Sequence, residues 1–220
     1  MIPDSKPHRA GSVRLTSARV ALTPGANSAS QRLCAGVLRL CGWKVDIQLP
    51  SAPKCVVVFY PHTSNWDFVI GVLAYLSVSW SLHWCGKDSL FRPPFGALMR
   101  ALGGIPVNRR VSTGFVSQLK YEFDRAHGLH LAITPEGTRA RTDHWKSGFY
   151  HLALAAGVPV GLAYIDYPSK RIGIDTFLEL SGDEEADLAQ FRAFYADKRG
   201  RNPAQQGEIR FRSFDRTLER

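Results

Sequence analysis

The spacing of apolar positions changes period at intervals along this chain. Cys55 to Tyr60 (CVVVFY) is an unbroken apolar, β-branched run between Pro53 and Pro61-His62, the pattern of a strand buried on both faces. A helix follows, with Ser64 or Asn65 as its cap, Asp67 in its first turn and Phe68 to Ser79 as its apolar body. Downstream the pattern predicts a short strand around Leu82 to Cys85, a helix near Pro94 to Leu102, a turn at Gly103-Gly104 and a strand from Ile105 to Val107. The order repeats: a helix over Ser112 to His127 ended by Gly128, a strand over Leu129 to Thr134, a helix over Trp145 to Ala156 closed by Gly157, and a strand over Pro159 to Asp166. Arg171 to Leu180 predicts a strand near the sheet edge. Ser181 and Glu184 match a capping box opening a helix with the face Leu188, Phe191, Phe194 and Tyr195 and the end Lys198-Arg199-Gly200. A last strand is predicted over Glu208 to Phe211. Such alternation predicts an α/β fold, a single layered domain with a mainly parallel or mixed sheet flanked by helices.

Before this body, Leu33, Val37, Leu40 and Cys41 fall at helical spacing within Gln31 to Trp43, widened by Cys34, Leu38 and Trp43 and flanked by Arg32, Arg39 and Lys44. That is an amphipathic basic helix, suited equally to the domain's own core and to a membrane interface. Residues 1–30 are rich in Ser, Ala, Arg and Pro with Asp4 the sole acid, and are expected to be a disordered basic leader; the same bias marks organellar transit peptides. The layout is then a leader over 1–30 and a domain over 31–220, comprising helix and linker over 31–54 and a motif-bearing core over 55–166. Phe68 to Gly86 and Ser147 to Ile165 are uncharged for 19 residues each, enough to span a bilayer. The first carries Gly71 and several serines and the second is broken by Gly157, Pro159 and Gly161, so each reads as a buried helix followed by a buried strand.

Charge changes this picture. The chain's 220 residues carry a formal +9, of which the first 54 residues hold eight Lys/Arg against two Asp, and the remainder is nearly balanced. A polyanionic partner follows, nucleic acid or an anionic membrane surface. No RNA-binding aromatic motif, zinc finger or basic zipper is present, which leaves the membrane. Cys34, Cys41, Cys55 and Cys85 form no CxxC pair and read as buried thiols in a reducing compartment, and the remaining histidines lack metal-ligand spacing, so no metal site is expected.

Three unusual segments lie at strand ends, where sites of open α/β sheets gather. His62-Thr-Ser-Asn-Trp-Asp67 brings a histidine and a carboxylate within folding distance; a carboxylate on imidazole Nδ1 leaves Nε2 as a base, although an aspartate there also simply caps a helix. No Ser or Cys sits in a nucleophile elbow, so the proton would come from a substrate hydroxyl. In Pro135-Glu-Gly-Thr-Arg139, Gly137 permits close backbone approach, Thr138 and Arg139 suit phosphate, and Glu136 could accept from a hydroxyl or orient Arg139, with Arg141 and Lys146 close behind. Gly103 to Arg110 likewise delivers Arg109. Each of these two loops alone also fits a tight turn with solvated charges. Asp166 and Tyr167, ending the strand after Pro159, stand where they could line a substrate channel and are assigned no role.

In this order the blocks HTSNWD, GGIPVNR, TPEGTR and Val158-Pro159-Val160 resemble the glycerophospholipid acyltransferase superfamily, over residues 55 to about 166. The resemblance implies His62 and Asp67 as catalytic pair, and Arg109, Glu136, Gly137, Thr138, Arg139 and Lys146 as substrate-binding residues. It implies a lysophospholipid acceptor, 1-acylglycerol-3-phosphate foremost, acyl-CoA or acyl carrier protein as co-substrate, and no cofactor. The expected location is cytoplasmic and peripheral to a membrane. Thr134 and Ala140 stand where members commonly have an aromatic residue and a serine, so another acceptor, such as a lyso-amino-acid lipid or other alcohol, stays open. So does a catalytically silent membrane-binding module.

Overall fold

The structure, a computed structural model, describes residues 28–107 and 115–212. Their order is α1 (Ala29–Leu40), β1 (Lys44–Ile47), β2 (Lys54–Tyr60), α2 (Asn65–Ser77), β3 (Leu82–Lys87), α3 (Gly96–Ala101), β4 (Gly104–Val107), α4 (Phe115–Arg125), β5 (Leu129–Ile133), α5 (Gly148–Ala156), β6 (Val160–Asp166), β7 (Arg171–Leu178) and α6 (Glu184–Tyr195). The strands make one mixed sheet in the order β1-β7-β6-β2-β5-β3-β4. Only β6 and β7 pair antiparallel, so β6, β2, β5, β3 and β4 run together and end on one side of the molecule.

The apolar run of β2 is buried from both directions. Val56, Val58 and Tyr60 enter a cluster with Leu119 of α4, Phe149 and Leu152 of α5 and Phe191 of α6, whereas Cys55 and Val57 face a second cluster with Tyr75 of α2 and Trp80. Two helical layers thus cover the sheet, which is why strand and helix apolar runs are nearly continuous. The uncharged stretches resolve into α2 with β3 and α5 with β6. Among the described residues no helix is long and apolar enough to cross a membrane.

The basic helix begins earlier than expected. Ser28 caps α1, accepting from Gln31 N at 3.3 Å, so residues 29 and 30 are helical, and the rest of the expected leader, 1–27, lies outside the described residues. Gln31, Cys34 and Leu38 are buried where α1 packs on α2. Leu33 and Leu40 stay 69% and 90% exposed, so docking satisfies only part of the apolar face.

Four expectations are corrected. Cys41 is exposed and not buried, because it closes α1 at the turn into Gly42. Arg171–Leu178 does lie near the sheet edge, with β1 alone outside it, paired from Lys44 opposite Arg171 to Ile47 opposite Ile174; at four residues β1 is too short for its period to show. The cap of α6 is Asp183, whose carboxylate accepts from Glu185 N and Ala186 N at 3.1 Å; Ser181 instead donates to the buried Asp187. Nor does α6 run to Lys198-Arg199-Gly200, since it stops at Tyr195, whose hydroxyl is drawn onto the sheet carbonyls of Val58 and Ala163. Glu208 to Phe211 forms no strand but a single bridge between Phe211 and Trp145, because it meets a loop residue and no sheet edge.

Candidate active site

Adjacent strands β6, β2 and β5 build the site. Tyr60 pairs with Tyr164 and Val58 with Ile133, so the segments that follow, beginning at Tyr167, Pro61 and Thr134, leave the sheet side by side. In the middle segment Ser64 caps α2, and Asp67, in the first turn, reaches back so that its Oδ2 accepts from Thr63 N and Ser64 N, both at 2.8 Å. The same Oδ2 lies 3.3 Å from His62 Nδ1. This approach is not aligned as a hydrogen bond, and the buried Nδ1 has no other partner. Apo sites commonly hold catalytic pairs this loosely and tighten them with substrate. Asp67 therefore does both things the sequence allowed, capping a helix and facing an imidazole. Its Oδ1 accepts from Tyr167 OH at 2.6 Å, and the carboxylate is 1% exposed.

Glu136 is placed differently from expectation. It too is 1% exposed, and its oxygens are taken by backbone amides: Oε2 accepts from His62 N at 2.7 Å and Oε1 from Gly207 N at 2.8 Å. A carboxylate so enclosed neither meets a substrate hydroxyl nor orients Arg139; it ties the β5 loop to the histidine segment and to the chain after α6. Burial, aided by the nearby charge of Asp67, pushes its pKa up to about 7 against the pull of the two amides.

The end of the TPEGTR loop faces outward. Gly137 has φ +65°, and a Cβ there would stand 3.0 Å from Lys146 Cε and Nζ, so glycine lets the lysine lie across the turn. Lys146 N donates to Pro135 O at 2.9 Å, which fixes the lysine beside the loop, and Thr138 and Arg139 are exposed. Gly137, Thr138, Arg139 and Lys146 thus come together one strand from His62. Arg109 lies outside the described residues, after β4, which is three strands from β2.

Sequence reasoning missed the strap that follows α6. Asn202 N donates to Thr63 Oγ1 at 3.2 Å, Asn202 Nδ2 to Thr63 O at 2.9 Å, and Tyr60 OH to Gly207 O at 2.9 Å. No motif marks it; only Gly200 and Gly207 hint at close approach. An open groove of about 340 Å³ runs from α1 to Tyr167, lined by Val37, Leu38, Trp43, Trp66, Val69, Ile70 and Leu73, with Lys170 and Arg201 at its polar limits.

A family model described as Acyltransferase matches residues 45–164. Two curated proteins named 1-acyl-sn-glycerol-3-phosphate acyltransferase are similar to this chain. The one from Haemophilus influenzae is 29% identical over 130 residues, covering 55% of this chain and 53% of that protein. Its counterpart from Escherichia coli is 27% identical over 146 residues, covering 62% and 58%. The chain thus spans little more than half the length of these relatives. The crystal structure of the 1-acyl-sn-glycerophosphate (LPA) acyltransferase, PlsC, from Thermotoga maritima aligns with a TM-score of 0.52 over 74% of each chain at 17% identity, a likeness of fold.

Proposed function

The chain belongs to the Acyltransferase family, and from that premise we propose that it moves a fatty acyl group from acyl-CoA or acyl carrier protein to the hydroxyl of a lysophospholipid, foremost 1-acylglycerol-3-phosphate. One observation carries the reading: His62 Nδ1 lies 3.3 Å from a buried carboxylate, beside a loop presenting Arg139 and Lys146. With Nδ1 protonated and turned to Asp67, Nε2 takes the proton of the acceptor hydroxyl as its oxygen attacks the thioester carbonyl. The tetrahedral oxyanion then collapses, the C–S bond breaks, and the leaving thiolate receives the proton from the imidazolium. No acyl-enzyme forms. General-base action of this kind contributes about 100- to 10,000-fold, and positioning supplies much of the rest.

Arg139, with Arg109, Thr138 and Lys146, holds the acceptor's phosphate, Gly137 allowing the close approach. The acceptor is named on the strength of the relatives' names; Thr134 and Ala140 make a lyso-amino-acid lipid or other alcohol the acceptor to test beside it. Delivery of a lipid calls for a membrane surface. Leu33 and Leu40 of α1, with Trp66 and Val69 of α2, are exposed apolar residues near Arg32 and Arg39, suited to peripheral binding on an anionic bilayer in the cytoplasm. The deciding experiment is thiol release from acyl-CoA and acyl carrier protein thioesters across a panel of lysolipids, wild type beside His62→Ala. Release that depends on acceptor and on His62 is expected. Equal release by the variant overturns the reading, and vesicle binding without any release favours a silent membrane module.

A further inference from the structure

We propose that Tyr167 is a positioning residue of the His62–Asp67 pair, its hydroxyl holding the Asp67 carboxylate in the orientation that turns Oδ2 toward the imidazole. The proposal rests on the acyl-transfer reading above and adds a residue to it. Asp67 is 1% exposed, and its two oxygens have separate duties. Oδ2 serves Thr63 N, Ser64 N and the approach to His62, while Oδ1 has one partner, Tyr167 OH at 2.6 Å. Without that hydroxyl Oδ1 would be a buried acceptor left unmet, and the carboxylate would turn about its Cβ–Cγ bond to share the amides between its oxygens. The imidazole, which has no aligned bond of its own to the carboxylate, is the partner that such a turn would lose first.

The tyrosine is itself fixed from several sides. Its N–H donates to Arg199 O at 2.9 Å and its carbonyl accepts from Lys170 N at 3.2 Å, which sets the backbone at the end of β6. Its ring meets Trp43 edge to face, centroids 5.1 Å apart. Burial and the Asp67 charge raise its pKa, against the opposing influence of Arg201 and Ser64, so the phenol keeps its proton and remains a donor. The contact with Trp43 needs only the ring. Phenylalanine would preserve it, so the substitution removes only the hydroxyl, whose short bond is to Asp67 and whose other neighbour is Ser64, the cap of α2.

The test compares Tyr167→Phe with wild type, His62→Ala, Asp67→Asn and the double variant Tyr167→Phe/Asp67→Asn in the full chain, by thiol release and thermal melting. The expected result for Tyr167→Phe is a kcat lower by about 5- to 30-fold, with both KM values within about twofold, as loss of one hydrogen bond acting through another residue predicts. In the Asp67→Asn background the same change is expected to alter the residual rate by less than about twofold. An unchanged kcat overturns the proposal, as does an equal loss in the Asp67→Asn background. Should wild type release no more thiol than His62→Ala, it is the acyl-transfer reading that fails. The tautomer of the neutral His62 ring, read from its nitrogen chemical shifts in wild type and Tyr167→Phe, then decides the positioning role alone: a population moved away from the Nδ1–H form supports it, and one unmoved overturns it.

Discussion

Asp67 and Glu136 are carboxylates of equal burial on segments that leave neighbouring strands, yet they do different work. Asp67 accepts from two amides and a tyrosine and faces a histidine; Glu136 accepts from two amides and, among the described residues, is paired with no cation. A side chain joined to a titratable ring can take part in proton transfer, whereas one joined only to backbone fixes where segments lie. The acidic residues of the two motifs thus divide in placement: that of HTSNWD faces a histidine, and that of TPEGTR ties backbone segments together.

The largest effect that separates the two is expected on rate. His62→Ala should lower acyl transfer by about 100- to 10,000-fold while leaving the melting temperature near wild type, since the ring makes no aligned hydrogen bond in the described structure. A variant that lost its fold in proportion to its activity would erase the distinction.

Stability should move with Glu136 instead. Its folded pKa, raised from 4.5 to about 7, means that the folded chain holds this proton more tightly than the unfolded one. Between those pH values the folded state binds more protons, so stability contributed by this group is fully present below about pH 4.5 and is lost as pH rises through about 7. A carboxyl group displaced that far changes stability by about 3 kcal/mol across the window. Denaturant midpoints from about pH 5 to about pH 8 should fall for wild type and lose that part of the slope in Glu136→Gln. The glutamine is expected to be less stable at low pH by about 1–3 kcal/mol, because its NH2 would face a backbone N–H. An identical slope in both proteins would remove Glu136 as the source.

What was legible in the sequence was local. CVVVFY, the glycine stop at Gly157 and the cap at Ser64 each act within one turn or one strand, so periodicity and side-chain chemistry report them; α4 instead ends at Arg125, ahead of Gly128. His62 and Asp67 were legible for the same reason, sitting on one turn. Tyr167 meets Asp67 across 100 residues and Gly207 meets Glu136 across 71, and contacts of that kind depend on strand order, which no local pattern carries. Glu136 was misread because it precedes Thr138, Arg139 and Arg141, and a run of polar residues looks solvated. Its burial comes from the strap after α6, a segment with neither helical nor strand period.

A smaller effect tests that strap. At Gly207 a Cβ would stand 2.6 Å from Thr142 Oγ1 and 3.3 Å from Glu136 Oε1. Gly207→Ala should therefore push the strap off the carboxylate and destabilise the fold by about 1–3 kcal/mol, with the bond to Glu136 lengthened. Paired with Glu136→Gln the two losses should add to less than their sum, because both act on one contact. Full additivity in denaturant titrations would mean that the strap is held by Asn202 on Thr63 and not by Glu136.

The smallest effect belongs to the exposed part of the TPEGTR loop. Arg139 is exposed and beside Lys146 lying over Gly137, so its removal neither opens the core nor touches the histidine. Arg139→Gln should leave stability within about 0.5 kcal/mol of wild type and raise the KM of a phosphate-bearing acceptor by about tenfold, with the KM of the thioester unmoved. The neighbouring cation keeps the loss moderate, since one charged partner remains for the phosphate. A kcat loss at constant KM would move Arg139 to the transition state and out of ground-state binding. That outcome would bring the TPEGTR loop to the reacting atoms beside His62, whereas the expected rise in KM keeps it at the acceptor's phosphate.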